Sequence, residues 1–283
     1  MLLADFATAQ EDGRATFASI RKVPSQASTA SWWVDLSMAA GNPPPNYYAA
    51  APLEAKTLDA FDGIFHGGSV APLTKHLASW HLVTPTAAAV GRYTLCDYLL
   101  YYPFVDGDAA GEVQAMDNTT ATLNRYAEAG GQVMAVAVAP STGGGSFTFD
   151  YINQSGVLRT SPVQKCSTTA ANIATLVTSQ PAVAGLNAGP FLALAEGDSG
   201  VRSIESCTFT VANGGLVALV IVSPLADLAI REINTANEVE SVRTDPTMPR
   251  IFDGAYLGMI HQPAGSVAAA TIAGNIYTVW SST

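Results

Sequence analysis

The chain has 283 residues, 48% hydrophobic and only 13% charged, with a net charge of −10 and an isoelectric point near 4.7. An average soluble domain carries roughly 25% charged residues, so this exterior must be covered mainly by Ser, Thr, Asn, Gln, Gly and Ala. Binding to nucleic acid through its phosphates needs clustered Lys and Arg. The densest basic point is Arg21-Lys22, so no nucleic-acid partner is expected.

Cys96, Cys166 and Cys207 are odd in number and widely spaced, with no zinc spacing among them, and read as buried free thiols of a chain made in a reducing compartment. The opening MLLADFATAQEDGR does not read as a signal peptide, because Asp5 interrupts a very short apolar run. The apolar run LVALVIV at 216–222 is far shorter than the roughly 20 residues of a membrane helix. No membrane partner is expected.

In chain order, residues 1–20 read as a short helix with Phe6, Phe17 and Ile20 as its apolar points, and Pro24 with the following polar run reads as a linker. The stretch WWVDLSMAAGNPPPNYYAAAP at 32–52 carries Pro43, Pro44 and Pro45, which impose extended backbone. Trp32, Trp33, Tyr47 and Tyr48 flank it. An extended segment has no interior of its own, so these rings pack either on the parent sheet or on an adjacent subunit. Trp and Tyr are common interface anchors, and this segment is the candidate interface. Residues 53–65 and 72–82 carry short helical patterns: Leu73, Leu77 and Trp80 recur at offsets of four and three. The region 1–105 is thus expected to be an arm of short helices and extended chain.

From 106 to 283 the pattern is that of an antiparallel β-sandwich, jelly-roll-like, either one unit or two similar ones. In SFTFDYINQSGV, Phe147, Phe149 and Tyr151 alternate with polar residues, which places the three rings on one face. Asn153–Gly156 is turn chemistry, so Val157–Thr160 returns as a hairpin strand. Segment 167–180 is expected to be a short helix capped by Ser167. In CTFTVANGGLVALVIV, Cys207, Phe209 and Val211 alternate, Asn213-Gly214 turns the chain, and a Val-rich strand follows. The close, IAGNIYTVWSS, reads as a last strand. One phrase occurs twice: GGQVMAVAVAP at 130–140 and GGLVALVIVSP at 214–224, with LRTSP at 158–162 echoed by VRTDP at 242–246. This predicts a duplication of 130–162 as 214–246, the twins being equivalent central strands of two β units.

Motifs that carry chemistry are sparse. EGDSG at 196–200 resembles the nucleophile loop of chymotrypsin-like proteases, and His66, Asp106 and Ser199 stand in that family's order. Val201 replaces the second glycine, however, and His66 lies in an unrelated context, so an ordinary turn is expected. Asp106, Asp108 and Asp117 partly match a calcium loop, with Ala at the fifth position and strand before it, so an acidic surface turn is expected there. His76, His81 and His261 are scattered and are expected to serve packing. AFDG at 60–63 and IFDG at 251–254 form a small echo, read as a recurrent tight turn. Neither catalytic residues, nor a cofactor, nor a metal is expected.

The run RKVPSQASTASWWVDLSMAAGNPPPNYYAA, the strings around the twin strands and the closing AAATIAGNIYTVWSS resemble virion structural proteins of tailed bacteriophages. The resemblance implies a β-rich, cofactor-free subunit, not an enzyme, that acts by copy number and contact. The low surface charge and an acidic balance that suits an outer face, away from packaged DNA, favour a head decoration or cement protein bridging capsomers. Its partners would be the major capsid protein, other virion subunits and copies of itself. A tail, neck or collar subunit would share this composition, and a virion-borne hydrolase or carbohydrate-binding module is a third class.

Overall fold

The structure, a computed structural model, describes residues 3–58, 60–181, 189–240 and 248–281. Strands take 46% of the chain and helices 5%. One helix, Leu3–Glu11, precedes β1 (Ala15–Val23), β2 (Val34–Asp35), β3 (Ala40–Asn42), β4 (Thr74–Val83) and β5 (Gly91–Asp106). Then come β6 (Val113–Ala115), β7 (Gln132–Ala137), β8 (Ser146–Asn153), β9 (Leu158–Thr160) and β10 (Gln164–Lys165). β11 (Val201–Val211), β12 (Leu216–Ile230), β13 (Asn237–Glu240), β14 (Arg250–Ile251), β15 (Tyr256–Pro263) and β16 (Ile272–Ser281) complete the order.

These strands form three antiparallel sheets. The central one runs β2-β15-β5-β12-β7. A second runs β13-β4-β16-β1-β3, with β14 also on β4, and a third runs β10-β8-β11-β6, with β9 on β8. The long strands β5 and β12 serve two cores. Near one end, Leu99 and Val105 of β5 with Val217, Leu219 and Ile221 of β12 pack on Phe147, Phe149 and Tyr151 of β8 and on Phe209 of β11. Near the other end, Tyr93, Leu95, Leu228 and Ile230 pack on Ile20, Trp80, Leu82 and Ile276 of the second sheet. The third core, holding Cys96, Tyr98, Val220 and Ile260, lies under the segment 33–58. Residues next to each other in β5, such as Leu95 and Cys96, thus enter different cores, as the two-residue side-chain period requires.

The mainly β, antiparallel sandwich architecture agrees with the sequence. Several local expectations need correction. The boundary expected at 105/106 falls within β5, just before its last residue, and β1 pairs with β16 from Ala15↔Val279 to Lys22↔Ile272, so both parts of the chain share sheets. Residues 15–20, expected to continue a helix, lie in β1. Residues 74–83 are strand as well. There the ladder shifts between Tyr277↔Ser79 and Thr278↔Leu77. That bulge inserts Ala78, so Leu77 and Trp80 both face the core at a spacing of three, which mimics a helix. Residues 53–65 hold one helical turn, Ala60–Asp62. Residues 171–177 form no helix. They run along the open edge of β7, with Ala137 N–H donating to Thr175 O at 2.9 Å and Val177 N–H donating to Ala135 O at 2.9 Å. This covers an edge that would otherwise be free to pair with another chain.

The twin strands do not occupy equivalent places in two units. β7 and β12 are hydrogen-bonded neighbours, from Val217↔Ala137 to Val222↔Gln132. The second half of the echo, 242–246, lies outside the described residues. The turns beside the twins are not hairpin tips, because β7→β8 crosses from the central to the third sheet and β11→β12 crosses back. The two crossings touch: Thr142 and Gly143 N–H both donate to Asn213 O, at 2.8 and 3.1 Å. Here the double glycine is required. Gly215 has φ +68°, and a Cβ on it would lie 2.3 Å from Pro140 O.

Candidate functional site

The aromatic segment is held down from within. Trp33, Met38, Tyr48 and Leu58 join the third core, and Trp32 joins the first. Trp32, Trp33 and Tyr48 are 4%, 3% and 0% exposed. Of the residues expected to form an interface, these three and Pro43 are buried in their own chain, Pro45 is partly covered, and only Pro44 and Tyr47 are exposed.

Asp35 anchors the segment. Its fully buried carboxylate accepts from Tyr98 Oη at 2.7 Å, from Ser37 N and Oγ at 2.8 Å each, and from Tyr48 Oη. Desolvation raises its pKa, although these donors oppose the rise. The buried Lys22 of β1 donates to Ala39 O at 3.1 Å and to Pro43 O at 2.8 Å, pinning the proline run to the second sheet. Burial lowers its pKa to about 8, against the pull of Asp35. These bonds fasten the segment to its own chain. A cavity of about 400 Å³ beside it is walled largely by apolar side chains, among them Leu36, Met38, Phe104 and Ile173.

On another side of the segment lies a cleft with more chemistry. Two cavities, of about 400 and 650 Å³, adjoin along Lys56, Thr57 and Leu58, which line both. This strip is fixed by two backbone bonds of 2.9 Å between Lys56 and Tyr101 of β5. Asn46, Asp62, Tyr101 and Tyr256 line the smaller cavity, and Phe61, Phe65, His66, Arg125 and Asp253 line the larger.

Beneath the larger cavity, Lys75 of β4 is buried. Its ammonium donates to His66 Nδ1 at 3.1 Å, Gly68 O at 2.8 Å and Gly67 O at 3.3 Å, and pairs with Asp253 Oδ1 at 3.3 Å. His66 Nε2–H then donates to Ala255 O at 2.9 Å, which fixes the tautomer as neutral. Burial, followed by the Lys75 charge, pushes His66 down to about 4. Against its own desolvation, Asp253 is held below the usual carboxylate range by Ser69, the Val70 N–H and Lys75. Nearby, Arg125 grips Asp97 of β5 and also donates to Tyr98 O at 3.0 Å. These groups are paired with each other and form a rigid polar floor.

Two polar groups of the smaller cavity are not paired. Tyr256 is 1% exposed, and its buried phenolic oxygen has no hydrogen-bond partner. Asn46 accepts from Tyr48 N at 3.2 Å through Oδ1, which leaves its buried Nδ2 donors without a partner. A buried unpaired polar group costs about 1–3 kcal/mol.

The other sequence candidates stand apart. His66 is bound to Lys75 and Ala255, Asp106 faces Asp108 N and the Gln114 side chain, and Ser199 N–H reaches Gln154 Oε1 at 3.1 Å. No hydrogen bond joins any two of the three among the described residues. Asp198 accepts from Tyr151 Oη at 2.6 Å and Asn153 Nδ2 at 2.7 Å, so the EGDSG loop is tied to β8. Asp106 caps Asp108 N at 2.8 Å, whereas Asp117 caps Thr119 N at 2.9 Å. Among the described residues no group of three His, Cys, Asp or Glu is placed to hold a metal ion. His261 stacks on Tyr93 at 3.9 Å, a packing role, and the three cysteines are buried and free.

Sequence reasoning missed the cleft. Its one signal was the echo AFDG and IFDG: Phe61, Asp62 and Asp253 come from these two turns and all line the cleft. Tyr256 and Lys75 had no local signal, since their roles depend on strand neighbours distant in sequence. Comparison of the chain with protein-family models, curated proteins and solved structures found no match.

Proposed function

We propose that this chain is a non-enzymatic structural subunit of a tailed-bacteriophage virion, a head decoration or cement protein that bridges capsomers. The observation that carries the reading is the sparsely ionised exterior, 13% charged in a 283-residue β protein. Large apolar side chains also stand out from that exterior, including Phe17, Tyr47, Val113 and Leu158 at 63%, 58%, 69% and 61% exposure. Copies and neighbours in a shell would cover such a surface, each contact burying on the order of 1,200–2,000 Å². The net charge of −10 suits an outer face, away from packaged DNA. The resemblance of these phrases to virion structural proteins, read from the sequence alone, supports the same reading. The main partner is then the major capsid protein.

Quantitative mass spectrometry of purified particles tests this. Hundreds of copies per particle are expected for a decoration protein. A ring number of six or twelve would move the subunit to the tail, neck or collar. Absence from the particle would overturn the reading altogether.

A further inference from the structure

We propose that the cleft along Lys56, Thr57 and Leu58 is a binding site for a neutral oligosaccharide. This holds wherever the chain sits in an assembly, since it rests on the cleft alone. Asn46 and Tyr256 line the smaller cavity, and the amide donors of the one and the hydroxyl of the other are buried without a partner. The other polar residues that line it are Thr57, Lys56, Asp62 and Tyr101. This set mixes donors, acceptors and groups that are both. A polyol, whose every hydroxyl donates and accepts, can satisfy all of them. A phosphate would meet the donors but face Asp62 here and Asp253 next door. An apolar ligand would leave Asn46 and Tyr256 unpaired.

The shape agrees. Each cavity lies in the ~300–1,000 Å³ range of small-molecule sites, and the two share Lys56, Thr57 and Leu58, so a ligand of more than one sugar unit could lie across that strip. Phe61 and Phe65 line the larger cavity at 83% and 55% exposure. Their flat apolar rings match the C–H face of a pyranose. Lys56 and Asp62 line the smaller cavity with opposite formal charges, which favours a neutral ligand there.

The test is a printed array of neutral and acidic oligosaccharides probed with the labelled full chain, followed by calorimetric titration of the best-retained glycan. Neutral glycans should be retained. Asn46→Ala, Tyr256→Phe and Phe61→Ala should each weaken binding about tenfold, the scale of one lost hydrogen bond or stacking contact. Tyr256→Phe removes only an unpaired hydroxyl, so its urea midpoint should equal or exceed that of the parent chain. No retention, retention of acidic glycans alone, or parent-like binding by Tyr256→Phe and Phe61→Ala would overturn the proposal. So would a lowered urea midpoint for Tyr256→Phe, which would assign the hydroxyl to folding.

Discussion

Arg125 holds Asp97 by two parallel hydrogen bonds, Nε to Oδ2 at 2.9 Å and Nη2 to Oδ1 at 2.8 Å, with side chains 7% and 1% exposed. The pair ties the loop before β7 to the middle of β5. Burial still pushes Asp97 up to about 6, with Arg125 opposing. Removing one partner strands the other charge, so Asp97→Ala should cost about 3–5 kcal/mol. The double change Asp97→Leu with Arg125→Met should cost less than Asp97→Ala alone. Urea denaturation of the set checks this, and a double variant worse than the single one would refute it.

Acid should act through two buried histidines. His66 is lowered to about 4 and His261 to about 3, each mainly by burial, from an ordinary value of 6.5. Below pH 6.5 the unfolded chain takes up protons that the folded chain refuses. Their contribution is therefore intact above pH 6.5 and is lost as pH falls toward 4, at up to about 1.4 kcal/mol per pH unit for each. The raised pKa values of Asp35 and Asp97 act in the opposite direction over part of this range. The measurement is therefore a difference. His261→Phe keeps the ring on Tyr93, so its stability relative to the parent should stay level down to about pH 6.5 and improve from there to pH 5. An unchanged difference would show that His261 does not titrate in this way.

The aromatic segment divides into anchors and an exposed ring. Trp32→Ala should cost about 3–5 kcal/mol, as for a buried tryptophan, whereas Tyr47→Ala should change stability by no more than about 0.5 kcal/mol. If the segment also docks on a neighbour, Tyr47→Ala is the variant that should lower incorporation into particles. Thermal unfolding and particle incorporation, measured on both variants, separate the two effects.

Gly215 tests the crossing between sheets. Its φ of +68° and the 2.3 Å approach of a built Cβ to Pro140 O leave no room for a side chain. Gly215→Ala should destabilise by about 1–3 kcal/mol or more. Gly144, with open space around it, should accept Ala with a loss nearer 1 kcal/mol. Equal losses would mean that the close approach is not what selects glycine.

Much of the sheet pattern was readable because burial writes itself with period two. Phe147, Phe149 and Tyr151 alternate in sequence and are all buried on one face of β8. The same reading failed where ladders slip. Val211 should follow Cys207 and Phe209 inward, but a register shift between Phe209 and Val211 leaves it 52% exposed. Leu77 and Trp80 were misread for the same reason. The twin phrase was visible, but which strand pairs with which is set by contacts distant in sequence, and nothing local announced that the twins lie side by side. The cleft was least legible of all: Asn46, Lys56, Asp62 and Tyr256 meet only because β5 and β15 bring separate loops together.

The two long strands described above have a mechanical consequence. β5 and β12 act as a common beam with a hydrophobic core packed at each end, so neither core can melt and leave the other's wall intact. Calorimetry should register one cooperative transition. A cavity cut at Leu257, in the core on the second sheet, should weaken hydrogen-exchange protection around Phe149 in the other core. A load applied at one end of such a subunit would be transmitted along the beam to the far end.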